Sequence, residues 1–144
     1  MILTLATTLA ILHFFPFKNF EDNISFNATV APREIVTGAP STLVIEYRNG
    51  TKEVLRKAKL HLKFPDHFLL QTIIMNSKEV SENAMDLDDI AVGGAGEVHV
   101  KGVMFGDVNG KQTFGSSLVF VHGTKGDVAG TKNSLYTFSP VHST

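Results

Sequence analysis

The sequence predicts an all-β fold, an antiparallel β-sandwich of about seven strands, preceded by a short N-terminal hydrophobic helix. From residue 23 onward, apolar and polar residues alternate with a period of two, which is the pattern of strands with one buried face. Gly, Pro and Asn interrupt these runs at roughly the 8 to 12 residue spacing of a sandwich. No helical pattern lies between them, and the missing crossover helices exclude a parallel α/β fold. A small closed barrel is the alternative architecture.

Length, charge and cysteine content limit the possible functions. The chain has 144 residues, with 13 basic and 14 acidic side chains and a net charge of -1. This length fits one domain with a substantial core. The balanced charge provides no overall attraction to nucleic acid or an anionic membrane. Because the chain has no Cys, disulfides, thiolate zinc sites and cysteine nucleophiles are excluded.

The first segment is apolar and carries no formal charge from Met1 to Phe15. A helix from Met1 to Phe17 spans roughly 25 Å, a little less than the roughly 30 Å hydrocarbon core of a bilayer. The basic beginning and small-residue cleavage site of a secretory signal are both missing. We interpret residues 1–17 as an uncleaved membrane anchor whose basic, cytoplasmic beginning lies upstream, and residues 18–22 as a linker. A helix packed on the domain is the alternative.

The β domain is predicted at residues 23–144, and its strands follow in order. Residues 24–30 form the first strand, with Ile24, Phe26, Ala28 and Val30 on one side. Residues 34–36 lie between two proline-containing turns and are long enough only for a bridging or edge strand. The other predicted strands are residues 42–48, 57–64, 69–75, 97–105, 111–121 and 134–139.

The alternation assigns each strand residue to the core or to water. The side chains expected between the sheets are Tyr47, Leu60, Leu62, Phe64, Val98, Val100, Leu118 and Phe120. The side chains expected to face water are Glu46, Arg48, Lys59, His61 and Lys63. This is the ordinary arrangement of a one-sided antiparallel sheet.

No catalytic, cofactor-binding or metal-binding residues are predicted. The six His residues form no HxH or HxxxH pair, and only His61 and His99 have the parity for a cross-strand pair, with solvent-facing His as the preferred interpretation. Gly-x-Ser-x-Gly is absent. The Gly93-Gly94-Ala95-Gly96 run lacks the Lys-Ser/Thr and helix of a phosphate loop, so it predicts a hairpin. We therefore predict a protein that is not an enzyme and has no small-molecule substrate.

Carboxylates gather in two segments of the chain. The run from Asp86 to Asp89 leads into a glycine-rich turn. Asp107 and Asn109 resemble only the start of a calcium loop, because the distal bidentate Glu is missing. Asn109-Gly110 by itself predicts a hairpin tip. We favour polar turns at both places, and a weak calcium site at Asp107 and Asn109 is the alternative.

Two further patterns concern partners and modification. The densest basic group is Arg56-Lys57-Lys59, and the aromatic residues fall mainly on buried positions, whereas nucleic-acid binding needs both on one exposed face. No nucleic-acid partner is predicted. Asn23, Asn27 and Asn49 each begin a glycosylation sequon, and positions in turns and on an exposed strand side are the simpler interpretation.

Several core and turn positions together resemble a known family. They are L-x-I-x-Y-x-N from Leu43, L-x-x-A-x-L-x-L-x-F-P from Leu55, and D-L-x-x-I-x-x-G-G-x-G-x-V-x-V-x-G from Asp86, with a later F-G and F-S-P. These motifs resemble the Ig-like repeat domains of bacterial cell-surface proteins, in particular the membrane-anchored type of small-genome, uncultivated bacteria. The resemblance covers roughly residues 23–140 and implies an Ig-like sandwich behind a single membrane helix. Because relatives often continue into further domains, we expect this chain to be a fragment of a longer protein.

The resemblance implies a function without catalysis. We expect a membrane-tethered Ig-like module outside the cytoplasm, acting as a spacer or an adhesion and interaction domain of the cell surface. Its expected partners are the membrane, through Met1 to Phe17, and an unidentified protein or glycan. The alternative is a pilus-like filament subunit that donates its N-terminal segment, residues 17–30, as a strand to a neighbour's sheet.

Overall fold

The computed structural model describes residues 19–80, 84–105 and 110–142. The predicted anchor at residues 1–17 and the Asp107 and Asn109 pair lie outside these ranges. The described residues begin with a lead-in helix, the 3₁₀ helix Phe20–Asn23. Within these ranges, no helix is long and apolar enough to cross a membrane.

The described residues form two packed antiparallel sheets. The first has the strand order β1-β2-β7-β4-β5 and the second has the order β6-β3-β8-β9. The strands are β1 (Ile24–Ala31), β2 (Pro40–Asn49), β3 (Leu55–Lys63), β4 (Phe68–Met75), β5 (Lys78–Val80), β6 (Ala84–Ile90), β7 (Ala95–Met104), β8 (Gln112–His122) and β9 (Val128–Phe138). The prediction of an all-β antiparallel sandwich is confirmed, with nine strands in the described ranges instead of about seven.

The assignment of core and surface residues is confirmed almost throughout. Of the eight side chains expected in the core, seven are buried, and Phe64 is half-buried. Phe64 follows the last residue of β3 and packs against Phe68 at the rim of the sandwich, with ring centroids 5.3 Å apart. The five side chains expected to face water are exposed. The apolar halves of the strands therefore meet between the sheets, as their alternation predicts.

Strand β5 is missing from the predicted strands, because the polar residues that follow residue 75 indicate a loop. Asn76 and Ser77 both have positive φ, 49° and 69°, which suits a two-residue hairpin between β4 and β5. Asn76 Nδ2 donates a hydrogen bond to Tyr47 Oη at 3.0 Å, and the Glu97 N–H donates to Asn76 Oδ1 at 2.9 Å. These contacts to the neighbouring strands hold a hairpin whose second strand is only three residues long.

Strand β6 covers the segment that was predicted as a polar approach to a turn. Met85 and Ile90 are buried, while the aspartates between them face water. Asp88 has a positive φ of 57°, and the pairing of β6 with β3 is irregular at this residue. The irregularity interrupts the alternation of apolar and polar residues, so the sequence pattern does not identify β6 as a strand.

The Gly93-Gly94 turn is not the predicted hairpin. It connects β6 in the second sheet to β7 in the first, so the chain crosses from one sheet to the other. Gly93 adopts φ 77° and donates its N–H to the Asn49 carbonyl, and the Asn49 N–H donates to the Gly94 carbonyl, both at 2.8 Å. The turn is therefore fixed to the end of β2.

The chain enters and leaves the sandwich at opposite ends. Ile24, the first residue of β1, pairs with Asn49, and we call this the Asn49 end. At the other end, which we call the Met104 end, the Gly38 N–H donates to the Met104 carbonyl. Val36 forms an isolated parallel bridge with Val141 at this end, which confirms the predicted bridging role of residues 34–36.

Candidate interaction surface

The acidic segment of β6 faces β3 and supports the backbone. Lys59 pairs with Asp86 across the two strands. The Asp88 N–H donates to Asp86 Oδ1 at 2.9 Å, and the Lys57 N–H donates to Asp89 Oδ1 at 3.0 Å. Two of the three carboxylates thus already accept backbone hydrogen bonds at the irregular pairing of β6 with β3. Within residues 19–80, 84–105 and 110–142, no group of three His, Asp or Glu side chains is arranged to hold a metal ion.

The histidines singled out in the sequence do not meet. His61 lies on β3 of the second sheet and His99 lies on β7 of the first, so the cross-strand pair considered for them does not form. His99 instead contacts the next outward residue of its own strand, with His99 Nε2 3.0 Å from Glu97 Oε2. Ser116 and Ser117 lie within β8, where Ser117 Oγ donates to Asn133 Oδ1 at 2.7 Å.

Asn49 holds the Asn49 end together and differs from the other two sequon residues. It is completely buried, whereas Asn23 and Asn27 are exposed. Its Nδ2 donates to the carbonyls of Glu53, Ile90 and Ala91 at 2.8, 3.1 and 3.2 Å. Its Oδ1 accepts from the N–H and the hydroxyl of Thr51 at 3.0 and 2.6 Å. A glycan on Nδ2 is incompatible with these contacts, so the sequon at Asn49 marks a structural residue.

The outer side of β8 and β9 has no charged side chain of its own, and it lies beside the outward-facing Lys59, His61 and Lys63 of β3. We call it the β8–β9 face, and its residues are Thr113, Ser117, Val119, Thr131, Asn133, Leu135 and Thr137. Cross-strand contacts order its polar side chains, because the Oγ1 atoms of Thr113 and Thr137 lie 3.1 Å apart and Ser117 bonds Asn133. Leu135 lies opposite Gly115 and is 75% exposed. A face of uncharged residues with an exposed leucine is suited to a partner that is recognised largely by contact area.

The β8–β9 face ends at an edge strand. In the described residues β9 pairs only with β8, and its other side lies beside β1 and the lead-in helix. The opposite edge of the same sheet, β6, carries three aspartates that discourage pairing with another chain. The only charged residue of β9 is Lys132, whose Nζ donates to the Glu21 carbonyl at 3.0 Å. The two edges of this sheet are therefore protected in different ways, β6 by its aspartates and β9 by β1 and the lead-in helix.

Sequence reasoning missed most of this surface because β9 was predicted only from residue 134. In its first half, polar residues occupy both sides of the strand: Thr131 and Asn133 face outward, and Lys132 lies between them. The alternation that identifies a strand is therefore weak there. The β-branched residues of this half are Val128 and Thr131, which is too weak a signal to identify a strand.

Comparison with known proteins identifies the fold and no family. No protein-family model and no curated protein sequence matches this chain. A similar solved structure is BcpA, the major pilin subunit of Bacillus cereus, with a TM-score of 0.57 and 12% identity over 81% of this chain. The chain spans only 40% of that pilin subunit.

Two other similar structures match over almost their whole length. AvmM, which catalyses macrocyclization in alchivemycin A biosynthesis, has a TM-score of 0.62 and 13% identity, covering 85% of this chain and 91% of AvmM. A cohesin module from a Clostridium perfringens family 33 glycoside hydrolase has a TM-score of 0.56 and 12% identity, covering 84% and 97%. At these identities the likeness shows an Ig-like β-sandwich fold. Because one fold serves pilin, cohesin and macrocyclase, function must be argued from this chain's own residues.

Proposed function

We propose that this chain is a non-enzymatic Ig-like module of the cell surface, tethered to the membrane through residues 1–17 and acting as a spacer or interaction domain outside the cytoplasm. The observation that supports the spacer role best is the position of the two chain ends. The chain enters at the Asn49 end through the lead-in helix and leaves at the Met104 end after Val141. A module with this path adds its full length, roughly 35 Å for an eleven-residue strand, between the membrane and whatever follows.

The absence of enzyme activity is part of this proposal and is supported by how the polar residues are used. Four polar side chains form hydrogen bonds within the domain: Asn49, Thr51, Asp86 and Asp89. Each of these bonds fixes a turn or a strand edge. The likeness to AvmM is no evidence for enzyme activity, because 13% identity shows a shared fold and not a shared function.

The β8–β9 face is the proposed contact surface for a protein or glycan partner. It is uncharged and its hydroxyl and amide groups are ordered by contacts with one another. Ordered side chains lose less conformational entropy when a partner binds. Leu135 supplies an exposed apolar contact on this face.

Protease treatment of intact cells tests the surface location. We expect a protease added outside to remove the β domain from the full chain, because the proposed topology has residues 23–144 outside the cytoplasm. An immunoblot against the domain provides the readout, and a cytoplasmic protein that stays intact is the control for membrane integrity. Full protection of the domain, followed by digestion after detergent lysis, would place it in the cytoplasm and refute the proposal.

A filament subunit is the second candidate function. The fold likeness to a pilin subunit favours it. Strand donation by residues 17–30, however, would remove β1 from its own sheet. In this structure β1 forms eight residue pairs with β2 and buries Ile24, Phe26 and Val30 in its own core. These contacts favour a self-contained module.

A further inference from the structure

The two terminal segments of the domain are bonded directly to each other at the Met104 end. The Thr37 N–H donates to the Val141 carbonyl at 2.9 Å, and the Val141 N–H donates to the Ile35 carbonyl at 3.0 Å. This pairing is parallel and involves the segment after β1 and the segment after β9. A force applied after Val141 therefore acts first on the segment that follows β1, through the hydrogen bonds to Ile35 and Thr37.

Strands β1 and β9 also run in the same direction. At the Asn49 end, the Phe20 ring stacks on His122 with centroids 3.7 Å apart, and His122 pairs with the first residue of β9, Val128. The lead-in helix is held against β9 by the hydrogen bond from Lys132 Nζ to the Glu21 carbonyl. Both strands therefore start at the Asn49 end, and both finish at the Met104 end.

The parallel direction of β1 and β9 determines how the domain resists unfolding under tension. Tension between the chain ends pulls β1 and β9 lengthwise in opposite senses past their neighbours. Eight residue pairs join β1 to β2, and eleven join β9 to β8. Lengthwise sliding must break many main-chain hydrogen bonds together, whereas peeling a strand from one end breaks them one pair at a time. The energy barrier is much higher when the bonds share the load, and forced unfolding is governed by that barrier.

We propose that this module is a tension-bearing element, in which the β1–β2 ladder, the β8–β9 ladder and the Val36–Val141 bridge carry load between its two chain ends. The inference rests on the proposed function, which places the module in series between a membrane and a partner. The lead-in helix is the point at which load enters, and Phe20 and Glu21 fix it to β8 and β9. The proposed spacer would therefore also resist tension between the membrane and the partner.

Single-molecule force spectroscopy along two axes tests the proposal. Because the chain has no Cys, pairs of introduced cysteines define the pulling axis. In the full chain in detergent micelles, Asn19→Cys with His142→Cys applies the force along β1 and β9. Lys111→Cys with His142→Cys applies it at the open end of the β8–β9 hairpin, where Gln112 pairs with Phe138, and peels β9 from β8. We expect a severalfold higher rupture force along the first axis, and equal forces would overturn the proposal.

A variant pair tests the bridge separately. Val141→Pro removes the N–H that bonds the Ile35 carbonyl, and we expect it to lower the rupture force between residues 19 and 142. Asp86→Ala removes an acceptor on β6, outside the loaded strands, and is the matched control. Because β6 keeps its native contacts while β1 and β9 slide, a change on β6 should leave the rupture force at the value of the unaltered chain. Equal losses in both variants would contradict the role of the bridge.

The force measurement and the protease experiment can fail independently. A domain that is protected from external protease but resists tension along β1 and β9 would refute the surface location and keep the mechanical inference. A digested domain with equal rupture forces along both axes would keep the location and overturn the inference.

Discussion

Replacing Asn49 by Leu will destabilise the domain by about 3 to 5 kcal/mol, because one buried and two partly buried carbonyls lose their donor and the buried Thr51 N–H loses its acceptor. Such a loss is a large fraction of the roughly 5 to 15 kcal/mol that stabilises a typical domain. Leu keeps a similar volume, so the effect reports lost hydrogen bonds more than lost packing. The measurement is urea unfolding of residues 19–144, followed by circular dichroism.

Asn27→Leu is the matched control for this prediction. Asn27 also begins a sequon and lies on β1, but its side chain is exposed, so the change should stay within about 0.5 kcal/mol. Asn49→Asp keeps an oxygen acceptor for Thr51 but turns a carboxylate oxygen toward three carbonyl oxygens in a buried site, so we expect it to destabilise the domain at least as much as Asn49→Leu. Equal unfolding midpoints for Asn49→Leu and Asn27→Leu would show that the Asn49 end does not depend on this residue.

Truncating Phe120 to Ala will cost roughly 3 to 5 kcal/mol, the range observed for buried aromatic residues. Phe120 is 3% exposed and lies on the inner face of β8. Its ring covers Gly130 on β9 so closely that a Cβ at that position would collide with it. The truncation therefore opens a cavity in the core that the surrounding strands cannot fill. Thermal and urea unfolding of the two chains measure the difference.

Phe64→Ala is the comparison that makes this prediction specific. Phe64 is half-buried at the rim and contacts Phe68, so its truncation removes less buried area and should cost roughly half as much. A smaller loss for Phe120→Ala than for Phe64→Ala would mean that the inward parity of β8 is wrong. Gly130→Ala should also destabilise the domain, because the added methyl group meets the Phe120 ring.

The sheets and their inner faces were predictable because burial on one side imposes a period of two. Ile24, Tyr47 and Leu118 could be assigned to the core from parity alone, and all three are buried. Parity does not determine which strands pair, however. The chain crosses between the sheets after β2, so β2 and β3 lie in different sheets although they are neighbours in sequence.

The features that sequence reasoning missed depend on contacts between distant residues. Asn49 has the local signature of a sequon, and only the carbonyls of Ile90 and Ala91, about forty residues away, make it structural. The hairpin at Asn76 is similarly fixed by Tyr47. Edge strands such as β5 and β6 have little core of their own, so their alternation is weak and their polar residues suggest loops.

The self-contained nature of the module is tested most directly by sedimentation velocity of residues 19–144 over a range of protein concentrations. Because β1 completes its own sheet through eight residue pairs with β2, we expect a folded monomer at every concentration. In a strand-donating filament, β1 would instead fill a neighbour's sheet and leave an open groove that invites assembly. Polymers that grow with concentration and disappear when a free peptide of residues 22–32 is added would contradict the account and establish the filament subunit.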